Sequence, residues 1–235
     1  MTAQKIVTRA QWIASRKELL VKEKEFTRLR DQLSKERREL PVVKVEKEYM
    51  FDTLSGKATL SKLFAEKSQL IVYHFMFHPN WEEGCPSCSF WADNFNGIMT
   101  HLNQRDVSLV AISKAPLSKL QAFKKRMGWS FTWVSSFEND FNRDYHVSFT
   151  SEELQTGAVN YNYGIMNFPV EEAPGISVFS KDGAGQIFHT YSCYSRGLDM
   201  LNTAYHYLDL APKGRDESTL TYPMAWVKYH DKYDK

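Results

Sequence analysis

Two cysteines three residues apart, Cys85 and Cys88, are the side chains in this sequence best suited to chemistry. They stand in Gly84-Cys85-Pro86-Ser87-Cys88, after an apolar run (residues 70–77) and a polar loop (79–84). Phe90, Trp91, Phe95 and Ile98 follow at a spacing that suits one helix face. The apolar run is short and bounded by His78, Pro79 and Asn80, which predicts a buried strand. A cysteine at a helix N-terminus faces unpaired backbone N–H groups and the positive end of the helix dipole. Both favour the thiolate, the nucleophilic form of the side chain. Pro86 suits the first helical turn, where its missing N–H costs nothing. Cys88 lies one turn on, close enough to attack a mixed disulfide on Cys85.

Two other readings of the pair compete. Zinc would need a second pair of ligands at a regular spacing. The one further cysteine, Cys193, has no partner of that kind, so neither a metal nor another cofactor is expected. Two inert core thiols are the other alternative, since unoxidised cysteine is among the most buried residues. Cys193 itself reads as a buried or edge-strand thiol, and His74 as a structural histidine on the strand. The loop before Cys85 carries His78, Trp81, Glu82 and Glu83. It reads either as a solvated turn with one packed ring or as a rim. In the rim reading Trp81 is an apolar platform, and Glu82 or Glu83 is an acid/base or a brake on the thiol.

The 235 residues suffice for one large domain, or a domain with an appendage. The balance of 43% hydrophobic and 25% charged residues is that of a soluble protein. A net charge of +2 gives no argument for nucleic acid or a membrane surface. The cysteine count does not suit a secreted disulfide framework, no apolar run reaches transmembrane length, and the N-terminus lacks a signal-peptide core. A cytoplasmic location is the expectation.

The elements that must position the pair can be read around it. Residues 8–40 predict a long helix, with Thr8 and Gln11 placed for a capping box and Pro41 as the stop. Trp12, Leu19, Phe26, Leu33 and Leu40 recur every seven residues and form an apolar stripe. That stripe predicts packing on the same domain or on a partner protomer in a homodimer. Residues 42–54 predict short strands, with a turn at Ser55-Gly56 and a short helix at 60–65. The cysteine helix should run to about His101. A strand at 106–113, a helix at 117–127 ended by Gly128, a strand at 129–137 and a short helix at 139–147 should follow. This alternation predicts an α/β sheet with parallel neighbours. Residues 148–173 read as a long loop with one short helix near 151–156. Pro174 then precedes a hairpin with strands at 176–179 and 186–190 and a turn at Lys181-Asp182-Gly183. Residues 195–208 predict a last helix that buries Leu198, Leu201, Ala204, Tyr205 and Leu208. The rings of Tyr222, Trp226, Tyr229 and Tyr233 predict a tail lying on the body.

The order strand, Cys-x-x-Cys helix, strand, helix, proline, hairpin, helix resembles the thioredoxin fold. The segment at 106–147 resembles the insertion of its peroxiredoxin-like branch. The strings VYHFMF, GCPSCSFWAD, GISVFSKDG, FHTYSCYSRGLDMLN and AWVKYHDKY resemble a thioredoxin-like family filed only as a domain of unknown function. The resemblance implies an α/β thioredoxin-like fold with a peroxiredoxin-like insertion and a long N-terminal helix. Its segments would be an extension (1–41), a thioredoxin-like domain (42–212) and an aromatic tail (213–235). It also implies that Pro174 is the cis-proline opposite the first cysteine and, with Trp81 and Pro86, forms the substrate edge. The motif departs from thioredoxin's Trp-Cys-Gly-Pro-Cys, and thioredoxin's buried Asp has no clear match. The peroxiredoxin Thr-x-x-Cys signature is absent because Cys85 occupies the Thr position.

The expected activity is thiol–disulfide exchange, with Cys85 attacking, Cys88 resolving and a protein or small-molecule thiol or disulfide as partner. One alternative is a thiol peroxidase-like enzyme. Another is a non-catalytic interaction protein that uses its aromatic surface.

Overall fold

The computed structural model describes residues 4–234. The first three residues of the predicted extension and the last residue of the tail lie outside the described residues. The chain divides after Pro41 into two compact units. The first is a single helix, α1 (Arg9–Arg38), capped by Thr8 in the predicted capping box with Gln11. Lys35, Arg37 and Arg38 in its last turn complement the negative end of the dipole. No side chain of α1 is buried, and Trp12, Leu19, Phe26 and Leu33 of the stripe are exposed.

The second unit begins with the short strand β1 (Val43–Lys44). The hairpin of β2 (Met50–Thr53) and β3 (Gly56–Thr59) and the short helix α2 (Leu60–Leu63) follow. The central strand is β4 (Gln69–His74), followed by the cysteine helix α3 (Pro86–Ala92), then α4 (Met99–Gln104) and β5 (Val107–Ser113). Next come α5 (Leu117–Arg126), β6 (Thr132–Ser135), α6 (Phe141–Asp144) and α7 (Ser151–Thr156). A small separate hairpin, β7 (Val159–Tyr161) and β8 (Gly164–Met166), precedes the long strands β9 (Gly175–Lys181) and β10 (Ile187–Tyr194). A 3-10 turn at Ser195–Leu201 leads into α8 (Thr203–Leu210).

The main sheet has the order β1-β10-β9-β4-β5-β6-β2-β3. Strands β4, β5 and β6 are parallel, as the alternation predicts, while β9 runs antiparallel to β4 and β10 to β9. The four strands β10-β9-β4-β5, with α3 crossing from β4 to β5 and α8 following β10, are the thioredoxin core. Strands β6, β2 and β3 extend the sheet beyond β5. Both faces of the centre are covered, which is why its strands read as continuous apolar runs. Tyr73, Phe75, Leu109, Ala111, Trp133 and Ile176 face α3. Leu70, Val72, Val110, Ile112, Val134 and Phe179 face the opposite layer with Phe51 and Phe141.

Several boundaries differ from expectation. The predicted cysteine helix is two helices, because residues 93–98, with Asn94, Asn96 and Gly97, form turns between α3 and α4. The last helix is likewise broken at Asn202, whose side chain caps α8 by accepting from Tyr205 N. That break leaves Leu201 exposed, while Leu198 and Tyr205 are buried. Helix α7 falls where predicted, but the β7–β8 hairpin was not expected. Its turn residues Asn162 and Tyr163 both have positive φ, the geometry of a type I′ turn. Strand β10 runs on to Tyr194 and so contains Cys193. Of the tail rings, Tyr229 is buried and Trp226 half-buried, whereas Tyr222 and Tyr233 are exposed.

One buried carboxyl ties the 148–173 segment to the body. Glu172 is 2% exposed; it accepts from Ser148 Oγ at 2.8 Å and from Asn142 Nδ2 at 3.4 Å. Burial pushes its pKa up to about 8, against the pull of Ser148, Asn142 and Lys114. A carboxyl whose folded pKa lies above its unfolded value stabilises the fold while both states hold the proton. That contribution is complete below about 4.5, declines as pH rises, and is gone above about 8. Glu172→Gln keeps the shape and stays neutral. Its urea midpoint should therefore fall less than that of the wild type between about pH 5 and 8. Parallel midpoint curves for the two proteins would refute this.

Candidate active site

The cysteine pair sits where the chain leaves β4. Backbone from Phe75 to Phe77 stays alongside β5: Phe75 N donates to Ile112 O at 2.9 Å and Ala115 N to Phe77 O at 2.8 Å. Between these, Met76 turns both polar groups to the motif. Its carbonyl accepts from Cys85 N at 3.0 Å, and its N–H donates to Cys88 Sγ at 3.4 Å. Cys85 is the N-cap of α3 and Pro86 occupies its first turn, as the spacing predicts.

Cys85 and Cys88 stand 4.0 Å apart, with no disulfide between them. Their environments differ. Cys85 is half-buried, whereas Cys88 is 1% exposed beneath it. Cys88 acting as a donor lowers the Cys85 pKa most. Burial opposes this, but the N–H groups of Cys88 and Ser87 and the Ser87 hydroxyl add to it, bringing Cys85 down to about 7. Burial, then the neighbouring Cys85, pushes the Cys88 thiol well above its ordinary value. The pair is therefore a half-buried cysteine inclined to ionise above a fully buried one inclined to stay protonated.

The loop before the motif is fixed rather than solvated. Gly84 is buried, and a Cβ there would lie 2.7 Å from the Phe75 ring. The Gly84 carbonyl accepts from the Tyr229 hydroxyl at 2.7 Å. Glu83 pairs with Arg126 and with Lys232; despite its partial burial, these two cations hold its carboxyl below the usual range. Glu83 is thus an ionised anchor, not an acid or a brake. Arg126 also binds Asp231 at 2.8 Å and lies over the Tyr229 ring. The segment 229–232 of the tail therefore straps the loop that presents Cys85. Trp81 is half-buried against the core, its carbonyl held by Lys119 Nζ at 3.0 Å. It packs beside His78 and is a supported ring at the rim.

Pro174 stands immediately before Gly175, the residue paired with His74, and so lies at the same end of the sheet as Met76. No cis peptide bond occurs among the described residues, which corrects the expectation for Pro174. The trans form is the lower in energy for X-Pro unless a tight turn demands otherwise. Here the chain enters β9 without such a turn: Ala173 N donates to Val147 O at 2.9 Å and Tyr161 hydroxyl to Pro174 O at 2.7 Å. His74 is buried on the opposite layer, bonded to Ser177 Oγ at 2.9 Å; burial first, then His189, lowers its pKa to about 3, so it is neutral. Cys193 is buried and lies 3.7 Å from the Gly197 carbonyl.

Three site residues were not singled out from sequence. Tyr73 is buried under the pair, Tyr161 reaches in from the β7–β8 hairpin, and Tyr229 comes from the tail. Alternation along β4 places Tyr73 on the face of Ile71 and Phe75, a signal the sequence does carry. Nothing local foretells Tyr161.

Fold and site together define a thioredoxin-like protein with a Cys-x-x-Cys pair at a helix N-terminus. The chain matches, over residues 1–233, the family described as "Bacterial protein of unknown function (DUF899)", and it belongs to that family. No curated protein matches it. Among solved structures it is similar to peroxidoxin BcpB from Mycobacterium tuberculosis, at 14% identity and a TM-score of 0.46, covering 68% of this chain and 92% of that one. It is also similar to Xanthomonas campestris peroxiredoxin Q, at 14% identity and a TM-score of 0.45, covering 66% and 87%. A third is the mitochondrial 2-Cys peroxiredoxin from Plasmodium falciparum, at 15% identity and a TM-score of 0.41, covering 72% and 92%. Among the described residues, no helix is long and apolar enough to cross a membrane.

The closeness of Gly84 to Phe75 makes a testable demand. The Phe75 ring is itself wedged against Trp129 and Trp133, with centroids at 5.9 and 4.5 Å, so it has little room to yield. Gly84→Ala should cost about 1–3 kcal/mol through overpacking. Urea unfolding monitored by tryptophan fluorescence would show it, and an unchanged midpoint would contradict the tight approach.

Proposed function

We propose that this protein is a thiol–disulfide oxidoreductase acting on protein or small-molecule disulfides. The observation that carries the reading is the asymmetry of the pair: a half-buried Cys85 at 4.0 Å from a fully buried Cys88. In the first step the Cys85 thiolate attacks a substrate disulfide. One substrate sulfur leaves as a thiolate and takes up a proton, and a mixed disulfide forms. In the second step Cys88 attacks Cys85 Sγ, releasing the other substrate thiol and leaving Cys85–Cys88 oxidised. An external dithiol returns the pair to its reduced form. Burial suits Cys88 to the second role, because only a disulfide already joined to Cys85 comes within its reach. The low pKa of Cys85 fits the first, since nucleophilicity in exchange is best near ambient pH.

The test is exchange with a chromogenic disulfide followed by adduct mapping. Cys88→Ser should accumulate a stable mixed disulfide on Cys85, and Cys85→Ser should lose the fast reaction. The rate of the Cys85 step should rise with pH through about 7. Equal reactivity of Cys85 and Cys193 in the wild type would sink the proposal. Consumption of hydrogen peroxide by the dithiol form at a comparable rate would instead favour a thiol peroxidase.

A further inference from the structure

Beneath the pair lies a polar group that the two-cysteine scheme does not use. Tyr73 is 1% exposed, and its ring is held edge-on between Phe75 and Phe95, at 6.2 and 5.1 Å between centroids. It points to the α3 side of the sheet, in the row Ile176–Tyr73–Ala111. With both cysteines reduced, its buried hydroxyl meets no partner at full hydrogen-bond geometry. Cys88 is the group that acts on it most strongly, ahead of Cys85 and Tyr161. A buried hydroxyl without a partner is costly and calls for an explanation.

We infer that the Tyr73 hydroxyl is the hydrogen-bond donor for the Cys88 thiolate formed when Cys88 attacks the mixed disulfide. The inference rests on the exchange reading above. Cys88 carries its proton in the resting protein, yet only the thiolate attacks. Two donors face its sulfur: the Met76 N–H at 3.4 Å and the Tyr73 hydroxyl. The first is fixed by the backbone and already engaged. The second makes no well-formed hydrogen bond in the dithiol and gains one as charge develops on sulfur. The phenol does not act as the base, because burial raises its own pKa well above the ordinary value. The balance is closed without it. The bond from Cys88 Sγ to Cys85 Sγ forms, the bond from Cys85 Sγ to the substrate sulfur breaks, and the Cys88 proton ends on the departing thiolate. The other titratable groups facing the pair are Tyr161, which senses Cys88, and Tyr229, which senses Cys85. Both remain protonated phenols over the range of the test, because burial raises each.

Ellman's disulfide separates the two steps in a Cys193→Ser background. Attack by Cys85 releases the first thionitrobenzoate, and attack by Cys88 on the adduct releases the second. Tyr73→Phe keeps the ring and removes the hydroxyl. Its first phase should match that of the parent. Its second phase should slow about tenfold, the size of one lost hydrogen bond to an ion, and its pH profile should move upward. Incorporating 3,5-difluorotyrosine at position 73, with a more acidic phenol, should move the second-phase profile downward. That arm also serves if Tyr73→Phe does not fold. A second phase that keeps its rate and pH profile in Tyr73→Phe, or its profile in the fluorinated protein, overturns the inference. Absence of a first phase in the parent would instead overturn the exchange reading itself.

Discussion

The site depends on where the β4–β9 ladder stops. Antiparallel pairing between these strands ends at His74 and Gly175; the residue that would next face Met76 is Ala173, whose N–H donates instead to Val147 O at 2.9 Å. Phe75 turns its N–H to β5, so Met76 turns its own polar groups toward the side of Ala173. With no ladder partner there, they bind the cysteine motif instead: the carbonyl to Cys85 N and the N–H to Cys88 Sγ. The diversion of Ala173 to Val147 therefore ends the pairing and leaves Met76 to the motif.

Around this fixed backbone, burial divides labour between two chemically identical side chains. Cys85 receives the N–H groups of the first turn of α3 and is half-buried. Cys88 is sealed under the helix by the sheet, with Trp91 anchored nearby through Nε1 to Leu198 O at 2.8 Å. The strap of Tyr229, Asp231 and Lys232 then fixes the approach loop from outside. Its ion pairs are partly exposed and contribute little each. Its firm points are the buried Tyr229 ring and the bond to Gly84 O, which close over the loop without covering Cys85 itself.

The cysteine pair, the parallel β4-β5-β6 core and the capped N-terminal helix were legible in the sequence because each rests on local signals. A short apolar run, a Cys-Pro step and a Thr-x-x-Gln box act over a few residues. What was not legible came from long-range contacts. The Glu83 carboxylate reads as either solvated or acid/base material until Arg126 and Lys232, 43 and 149 residues beyond it, are seen to pair with it. The last helix reads as continuous because Asn202 is neutral to periodicity; its side chain breaks the helix only by capping the next one. The cis expectation for Pro174 failed for a different reason. A dipeptide does not determine its isomer, and the surrounding bonds decide it.

The choice of a phenol under Cys88, rather than a carboxylate, follows from the same packing. An ionised carboxylate among Phe75, Phe95 and Trp91 would carry a large desolvation cost, and it would repel the thiolate it faced. A neutral phenol keeps its ring in the apolar layer and offers only a dipole to the sulfur. It therefore stabilises negative charge on Cys88 without adding a second charge to the core. The buried Glu172 shows the alternative in the same molecule. There a carboxyl is tolerated by keeping its proton toward neutral pH, with Ser148 and Asn142 supplying hydrogen bonds. A group held in that way titrates with the medium. Tyr73 does not, so the environment it gives Cys88 stays constant over the range in which Cys85 ionises.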